Sequence, residues 1–115
     1  MPTPKKFYKK PTDSFETKIY NAVKKIPRGK AATYAYIAGA CGRPRAWRAV
    51  GNILNKNRSR SVPCHRVIRS DRTAGGYAWG AERKINILKK EGIVFLGNKA
   101  KGEFIIHHLT ARSRS

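Results

Sequence analysis

A chain of 115 residues fits one domain with a single modest core. It carries 26 Lys plus Arg against 6 Asp plus Glu, a formal net charge of +20. Such a chain repels itself when compact unless a polyanion neutralises it, and nucleic acid is the leading candidate because bound Lys and Arg displace condensed counterions. No apolar run approaches the roughly 20 residues of a membrane helix, and the N-terminus lacks the apolar stretch of a signal peptide, so an intracellular protein without a membrane partner is expected. Two cysteines, Cys41 and Cys64, make no disulfide framework in that setting and are expected as reduced thiols. No Cys or His falls at a zinc spacing, so no metal is expected.

In chain order, residues 1–11 hold four lysines and three prolines without apolar periodicity and read as a flexible basic arm. A helix is expected from Asp13, where Asp13-x-x-Glu16 fits a capping box. Phe15, Ile19, Val23 and Ile26 follow at helical spacing, and Pro27-Arg28-Gly29 ends the run. Thr33 suits the N-cap of a short second helix bearing Ile37, Ala38 and Cys41 and closed by Gly42. Pro44 suits the first turn of a third, which carries Trp47, Val50, Ile53 and Leu54 towards Asn55. Two short helices about a glycine turn make a helix-turn-helix pattern, which also occurs as plain packing. Arg43, Arg45 and Arg48 cluster on the turn and the start of the second helix of the pair, where DNA-reading helices place contacts.

A polar loop over 57–61 leads into Val62-Pro63-Cys64-His65-Arg66-Val67-Ile68, with Val67 and Ile68 expected buried. Gly75-Gly76 marks a turn. A further helix is expected over 81–91, with Ile85 and Leu88 inward and Gly92 at its C-terminus. Phe104, Ile105 and Ile106 suit a short terminal strand. The expected architecture is therefore mostly α (α+β): one small domain over 12–95 with a helix-turn-helix (winged-helix-like) core, followed by a basic extension over 96–115.

Cys64 and His65 together carry the chemistry. A thiol near its ordinary pKa of about 8.5 is mostly protonated at neutral pH, and an adjacent imidazole can take its proton directly or through one water. A carboxylate on the other ring nitrogen would orient that imidazole, and an antiparallel return could bring Glu91 there. The dipeptide alone leaves open a buried Cys beside a solvated His.

Pro63-Cys64-His65-Arg66-Val67-Ile68, followed by Gly-Gly-Tyr-Ala-Trp-Gly, Glu-Arg-Lys and Glu-Gly-Ile, resembles the C-terminal domain of the O6-alkylguanine-DNA alkyltransferases. The likeness covers roughly Phe15 to Val94, including the Pro-Arg-Gly-Lys turn, Thr33-Tyr34, Arg48-Ala49-Val50-Gly51 and Asn57. It implies irreversible transfer of an alkyl group from O6-alkylguanine, or O4-alkylthymine, in double-stranded DNA to Cys64, without a cofactor and by a monomer. By the same resemblance His65 is the water-mediated base, Glu91 its orienting carboxylate and Asn57 a brace of the active-site loop. Arg48 would fill the gap left by a flipped nucleotide, Tyr34 would press on the backbone, and Tyr77 would donate to the purine ring. Arg43, Arg45, Ala49 and Gly51 fall with Arg48 on the expected DNA-binding segment, and Val67, Ala78 and Trp79 beside the pocket. Each has a plainer reading: a helix cap for Asn57, a phosphate contact for Arg48, core packing for Tyr34 and Tyr77.

Some positions depart from that pattern. Ala78 stands where some relatives have Ser, Trp79 where some have a small residue, and the loop before Cys64 is a residue short of some versions. The separate N-terminal domain of many relatives, with any zinc it holds, is not expected here. Two other readings compete: an alkyltransferase-like protein that flags lesions without transferring anything, in which another residue replaces the cysteine, and a generic basic nucleic-acid-binding module.

Overall fold

The structure, a computed structural model, describes residues 14–59 and 61–107. The expected basic arm, Asp13 and the residues after 107 lie outside them. Helix α1 (Phe15–Lys24) starts at Ser14 instead of Asp13: the Ser14 hydroxyl accepts from the Thr17 N–H at 3.0 Å and so satisfies an end donor. Glu16 accepts from the Tyr20 hydroxyl one turn on, and the other half of the expected capping box, Asp13, lies outside the described residues. The apolar stripe puts Ile19 and Val23 in the core, and Ile26 follows them just past the helix end.

Thr33 caps α2 (Tyr34–Ala40) by accepting from the Tyr36 N–H at 3.0 Å. Gly42 then takes φ +89°, a left-handed turn that L side chains resist. Helix α3 (Trp47–Lys56) begins later than expected. Arg43 closes a turn onto the Ala46 N–H, so Pro44, Arg43 and Arg45 lie in the α2–α3 connection and only Arg48 stands on the helix. Val50 and Leu54 are buried, but Trp47, on the same stripe, is 47% exposed. It is the first residue of α3, and side chains lean back toward the helix N-terminus, which carries its ring beyond the rim of the core. Helices α1, α2 and α3 pack mutually as the helix-turn-helix unit.

The remaining elements are short. Strand β1 (Ala32–Thr33) pairs in parallel with β2 (Val67–Ile68), Ala32 opposite Val67 and Thr33 opposite Ile68. Alternation along these strands divides the core. Ala32 and Val67 join Ile19, Ile37, Val50 and Leu54 beneath the helix-turn-helix, whereas Ala31 and Ile68 join Leu88, Ile93 and Ala100 on the far side. Helix α4 (Ala81–Lys90) buries Leu88 and, unexpectedly, Lys84, leaving Ile85 half-buried.

After α4 come an antiparallel hairpin, β3 (Phe95–Leu96) and β4 (Lys99–Ala100), and a 3-10 turn at Gly102–Phe104. The strand expected over 104–106 reduces to one parallel bridge between Ile105 and Ala31, because the turn consumes Phe104. The expected domain boundary at 95 falls within the hairpin, whose Ala100 is buried in the second cluster. Among the described residues no helix is long and apolar enough to cross a membrane.

Because Ile68 is fully buried and Leu96 is 67% exposed, Ile68→Ala should cost about 2–5 kcal/mol in chemical denaturation and Leu96→Ala about 0.5 or less.

Candidate active site

Pro63 leads into a 3-10 turn, Cys64–Arg66, directly ahead of β2. Pairing of β2 with β1 therefore seats Cys64 next to the start of α2 and under the end of α3. Its side chain is nearly buried, 7% exposed. Asn57, at the C-terminal end of α3, donates from Nδ2 to Cys64 Sγ at 3.2 Å and to the Ser59 carbonyl at 3.1 Å, while its Oδ1 accepts from the Ser59 N–H. One amide thus ties the thiol to the loop that precedes it. Burial pushes the Cys64 thiol above its ordinary pKa; the Asn57 hydrogen bond and the positive charge of Lys84 pull the other way without cancelling it.

The adjacent imidazole is held from across the molecule. His65 Nε2 lies 2.8 Å from Glu91 Oε2, and Arg66 grips both oxygens of the same carboxylate at 3.0 Å through Nε and a terminal nitrogen. The other terminal nitrogen of Arg66 donates to the Ile26 carbonyl at 2.9 Å. Burial alone would raise the Glu91 carboxyl, but hydrogen bonds from Arg66 and His65 outweigh it and hold the group below its ordinary range. An ionised carboxylate only accepts, so His65 must present an N–H at Nε2, leaving the Nδ1 lone pair free to take a proton. Burial also holds the imidazole below its ordinary pKa, against the pull of Glu91. The ring is therefore neutral, and able to accept, at neutral pH.

Glu91 stands where it does because the turn after α1 abuts α4. Gly29, at φ +89°, passes so close that a Cβ there would meet the Glu91 carbonyl oxygen at 3.2 Å, and Arg28 reaches the Lys90 carbonyl. Arg28 and Gly29 of the Pro-Arg-Gly-Lys segment thus buttress the backbone that bears the carboxylate.

A cleft of about 140 Å³ opens over Cys64, walled by His65, Tyr77, Trp79, Val62, Pro63, Ser59 and Ile87. Ligand pockets run to about 300–1,000 Å³, so this one suits a single planar ring system. Tyr77 meets His65 edge-on at 6.4 Å and Trp79 at 5.2 Å, and the Arg58 guanidinium lies over the Trp79 ring. Trp79 and Ile87 also border a larger, open groove of about 620 Å³ along α4. Val67 is fully buried, as its apolar run predicts, but it is not among the cleft walls where the resemblance puts it, because strand alternation turns it away; Ala78 is half-buried but is not among the cleft walls either.

Tyr34 begins α2, and Gly51 of α3 faces its ring. Its hydroxyl turns inward to the Gly76 carbonyl at 3.4 Å and accepts from Lys84 Nζ at 3.1 Å, and burial raises its pKa to about 12. Gly75, at φ +77°, lets the 75–76 turn come close to this ring. Arg43, Arg45 and Arg48 are exposed, with Ala49 and Gly51 half-buried beside Arg48. Among the described residues no group of three or more His, Cys, Asp or Glu could hold a metal.

Two contributors escaped the sequence reading. Arg66 was read only as part of a motif, yet it supplies most of the support for Glu91. Lys84 is fully buried, donating to the Gly76 carbonyl at 2.9 Å as well as to Tyr34, and burial lowers its pKa to about 7. Its helical spacing from Leu88, four residues, was the available signal.

The electrostatics give two expectations. Glu91→Gln removes the support of the His65 imidazolium, so the pH profile of Cys64 alkylation by a small DNA-independent reagent should move to higher pH. Lys84→Met removes a positive charge that favours the thiolate and should move the profile the same way; an unmoved midpoint in either variant would contradict the assignment.

The chain from residue 14 to 93 matches the model of the 6-O-methylguanine DNA methyltransferase, DNA binding domain. It is 46% identical over 79 residues to a methylated-DNA–protein-cysteine methyltransferase of Methanosarcina acetivorans, covering 68% of this chain and 51% of that protein. It is 39% identical over 79 residues to the Escherichia coli bifunctional transcriptional activator/DNA repair enzyme Ada, covering 68% of this chain but 22% of that protein. The chain therefore spans about half, or less, of the length of these relatives. Schizosaccharomyces pombe Atl1, solved in complex with damaged DNA containing O6-carboxymethylguanine, superposes with a TM-score of 0.70 at 34% identity, covering 80% of this chain and 94% of that one. Mycobacterium tuberculosis OGT, solved in complex with DNA, gives 0.64 at 38% identity, covering 67% and 48%. With its helix-turn-helix core and its match over most of its length, this chain belongs to the 6-O-methylguanine DNA methyltransferase family.

Proposed function

We propose that this protein binds duplex DNA carrying O6-alkylguanine, rotates the base into the cleft over Cys64 and takes the alkyl group onto the Cys64 sulfur. The observation that carries this reading is a thiol at the wall of a one-base cleft, beside an imidazole whose far nitrogen is pinned to a buried carboxylate. An O6-alkyl group of a paired guanine lies in the major groove, out of reach of a buried thiol. Extrusion of the base solves the access problem at a cost of a few kcal/mol. Exposed Arg48 is the residue to occupy the vacated stack, and Tyr34, braced by Lys84 and Gly76, the one to bear on the backbone. The basic surface supplies the sequence-independent affinity.

In the cleft the Cys64 proton passes to His65 Nδ1, directly or through one water, and Glu91 stabilises the imidazolium. Sγ attacks the alkyl carbon; the C–S bond forms as the C–O6 bond breaks, and the electron pair leaves with the guanine. A Tyr77 hydrogen bond to the ring strengthens as that charge develops, so it favours the transition state over the bound substrate. Asn57 holds the sulfur at the mouth of the cleft throughout. The product is a thioether, and none of the cleft-lining groups can cleave a carbon–sulfur bond.

A second reading, lesion binding without transfer, is favoured by the likeness to Atl1, which extends over 94% of that chain. The two separate on stoichiometry. With O6-methylguanine DNA in excess, one equivalent should be repaired and the reaction should stop. Intact mass should rise by one methylene, mapped to Cys64 and not to Cys41, which is also buried but is walled by Lys18 and Lys25 on the α1–α2 side. Unchanged mass with intact binding would favour the second reading; sustained turnover, or a label on Cys41, would remove the first.

A further inference from the structure

Helix α3 opens with two large side chains, and neither is in the core. Trp47 is 47% exposed although it lies three and seven residues before the buried Val50 and Leu54, on the same apolar stripe. The exposed Arg48 is folded over it, its guanidinium carbon 5.1 Å from the ring centroid. Gly51, one turn along from Trp47, faces the Tyr34 ring, where an added Cβ would sit 3.8 Å from Cε1. Trp47 and Gly51 thus follow one flank of α3, with the Tyr34 ring of α2 against Gly51 and the Arg48 guanidinium over Trp47.

The surroundings select the occupant. Arg43 and Arg45 are exposed in the turn just before Trp47, and the chain holds no Asp or Glu from Thr17 to Ser70. An acidic partner is called for, and one that also offers a flat face to an indole. Nucleic acid combines both, through phosphates and unstacked bases.

We propose that Trp47 is a second stacking residue: Arg48 covers its ring in the free protein, and when Arg48 moves into a base stack the ring takes the exposed face of a nucleobase beside the gap. This rests on the proposed DNA-binding reading and extends it to a residue outside the Cys64 cleft. The exchange is balanced in kind, because the guanidinium trades one aromatic face for another and the indole trades a cation for a base. Apolar and aromatic wedges beside a kinked or opened step are a general device of proteins that deform duplex DNA. Every base has a π-face, so the contact would be indifferent to sequence, as a lesion-searching protein requires.

The test compares full-length wild type, Trp47→Ala and Trp47→Phe on a duplex with one O6-methylguanine and on its undamaged counterpart, across a salt series. Trp47→Ala should bind the lesion duplex about tenfold more weakly, the loss of one base–aromatic stack, and the undamaged duplex nearly as well as wild type. Trp47→Phe should keep most of the affinity, and the salt slope should be the same in all three because no phosphate contact is lost. Wild-type tryptophan emission should be quenched by the lesion duplex, and Trp47→Phe should lack that component; this arm decides the matter even if Trp47→Ala melts early. Equal lesion affinity in all three proteins, with wild-type binding intact, would overturn the proposal. So would a shallower slope shared by both variants, which would mean that the ring serves only to place Arg48. If wild type bound neither duplex at any salt, the DNA-binding reading itself would fall, and this inference with it.

Discussion

The carboxylate of Glu91 is the joint on which the site depends. A buried carboxylate without partners would cost several kcal/mol, and this one, 5% exposed, is met on both oxygens by Arg66 and on one by His65. Because Arg66 also reaches the Ile26 carbonyl, and Gly29 closes on the Glu91 backbone, three distant segments converge at one point: the turn after α1, the Cys64–Arg66 turn and the end of α4. Cys64 lies two residues from Arg66, so its position is inherited from this junction as well as from the Asn57 amide. The folded-state pKa of Glu91 is depressed, so the junction's contribution is present above the unfolded carboxyl range and is lost as pH falls through the folded value.

Charge explains the rest of the design. With only six acidic residues in the chain, spending one at an interior site leaves the surface overwhelmingly basic. A second unusual choice is Lys84, a lysine with no exposure, held among the described residues by a carbonyl and a phenol and by no carboxylate. Burial lowers its pKa to about 7, whereas the thiolate form of Cys64 raises it. Lysine charge and sulfur charge therefore support each other through the interior, and ionisation of the thiol is coupled to a helix that the Cys-His motif does not mention. Under the proposed function, the same lysine connects the Tyr34 hydroxyl to the turn bearing Tyr77.

Much of the helical framework was readable because its causes are local. The Ile19–Val23–Ile26 and Val50–Leu54 stripes, the Thr33 cap and the Gly42 break each involve residues a turn or so apart. The errors were local too, but of a kind where two adjacent signals compete. Ser14 took the cap that Asp13 was expected to fill, and Pro44 fell in a turn closed by the Arg43 carbonyl. Strands of two residues carry too little periodicity to be seen, so the β1–β2 and β3–β4 pairs were not expected. Trp47 and Lys84 show the limit of burial arguments from residue type. Trp47 lies at the end of its stripe, where the core has run out, and Lys84 is buried because Tyr34 and Gly76 offer oxygens that only the fold brings to it.

The nearness of Cys64 and His65 is covalent adjacency, and the basic character is composition; both were determined by the sequence alone. So was the family likeness, which resides in ordered motifs. Glu91 was already the carboxylate expected for His65, but the tertiary structure alone closes the separation of 26 residues to a 2.8 Å contact, and it alone decided that Arg66 would lock it. It alone decided that the buried Val67 would stay out of the cleft, since a strand's alternation has no direction until its partner is known. Long-range pairings of this kind are set by the packing of whole elements against one another, and no local pattern encodes them.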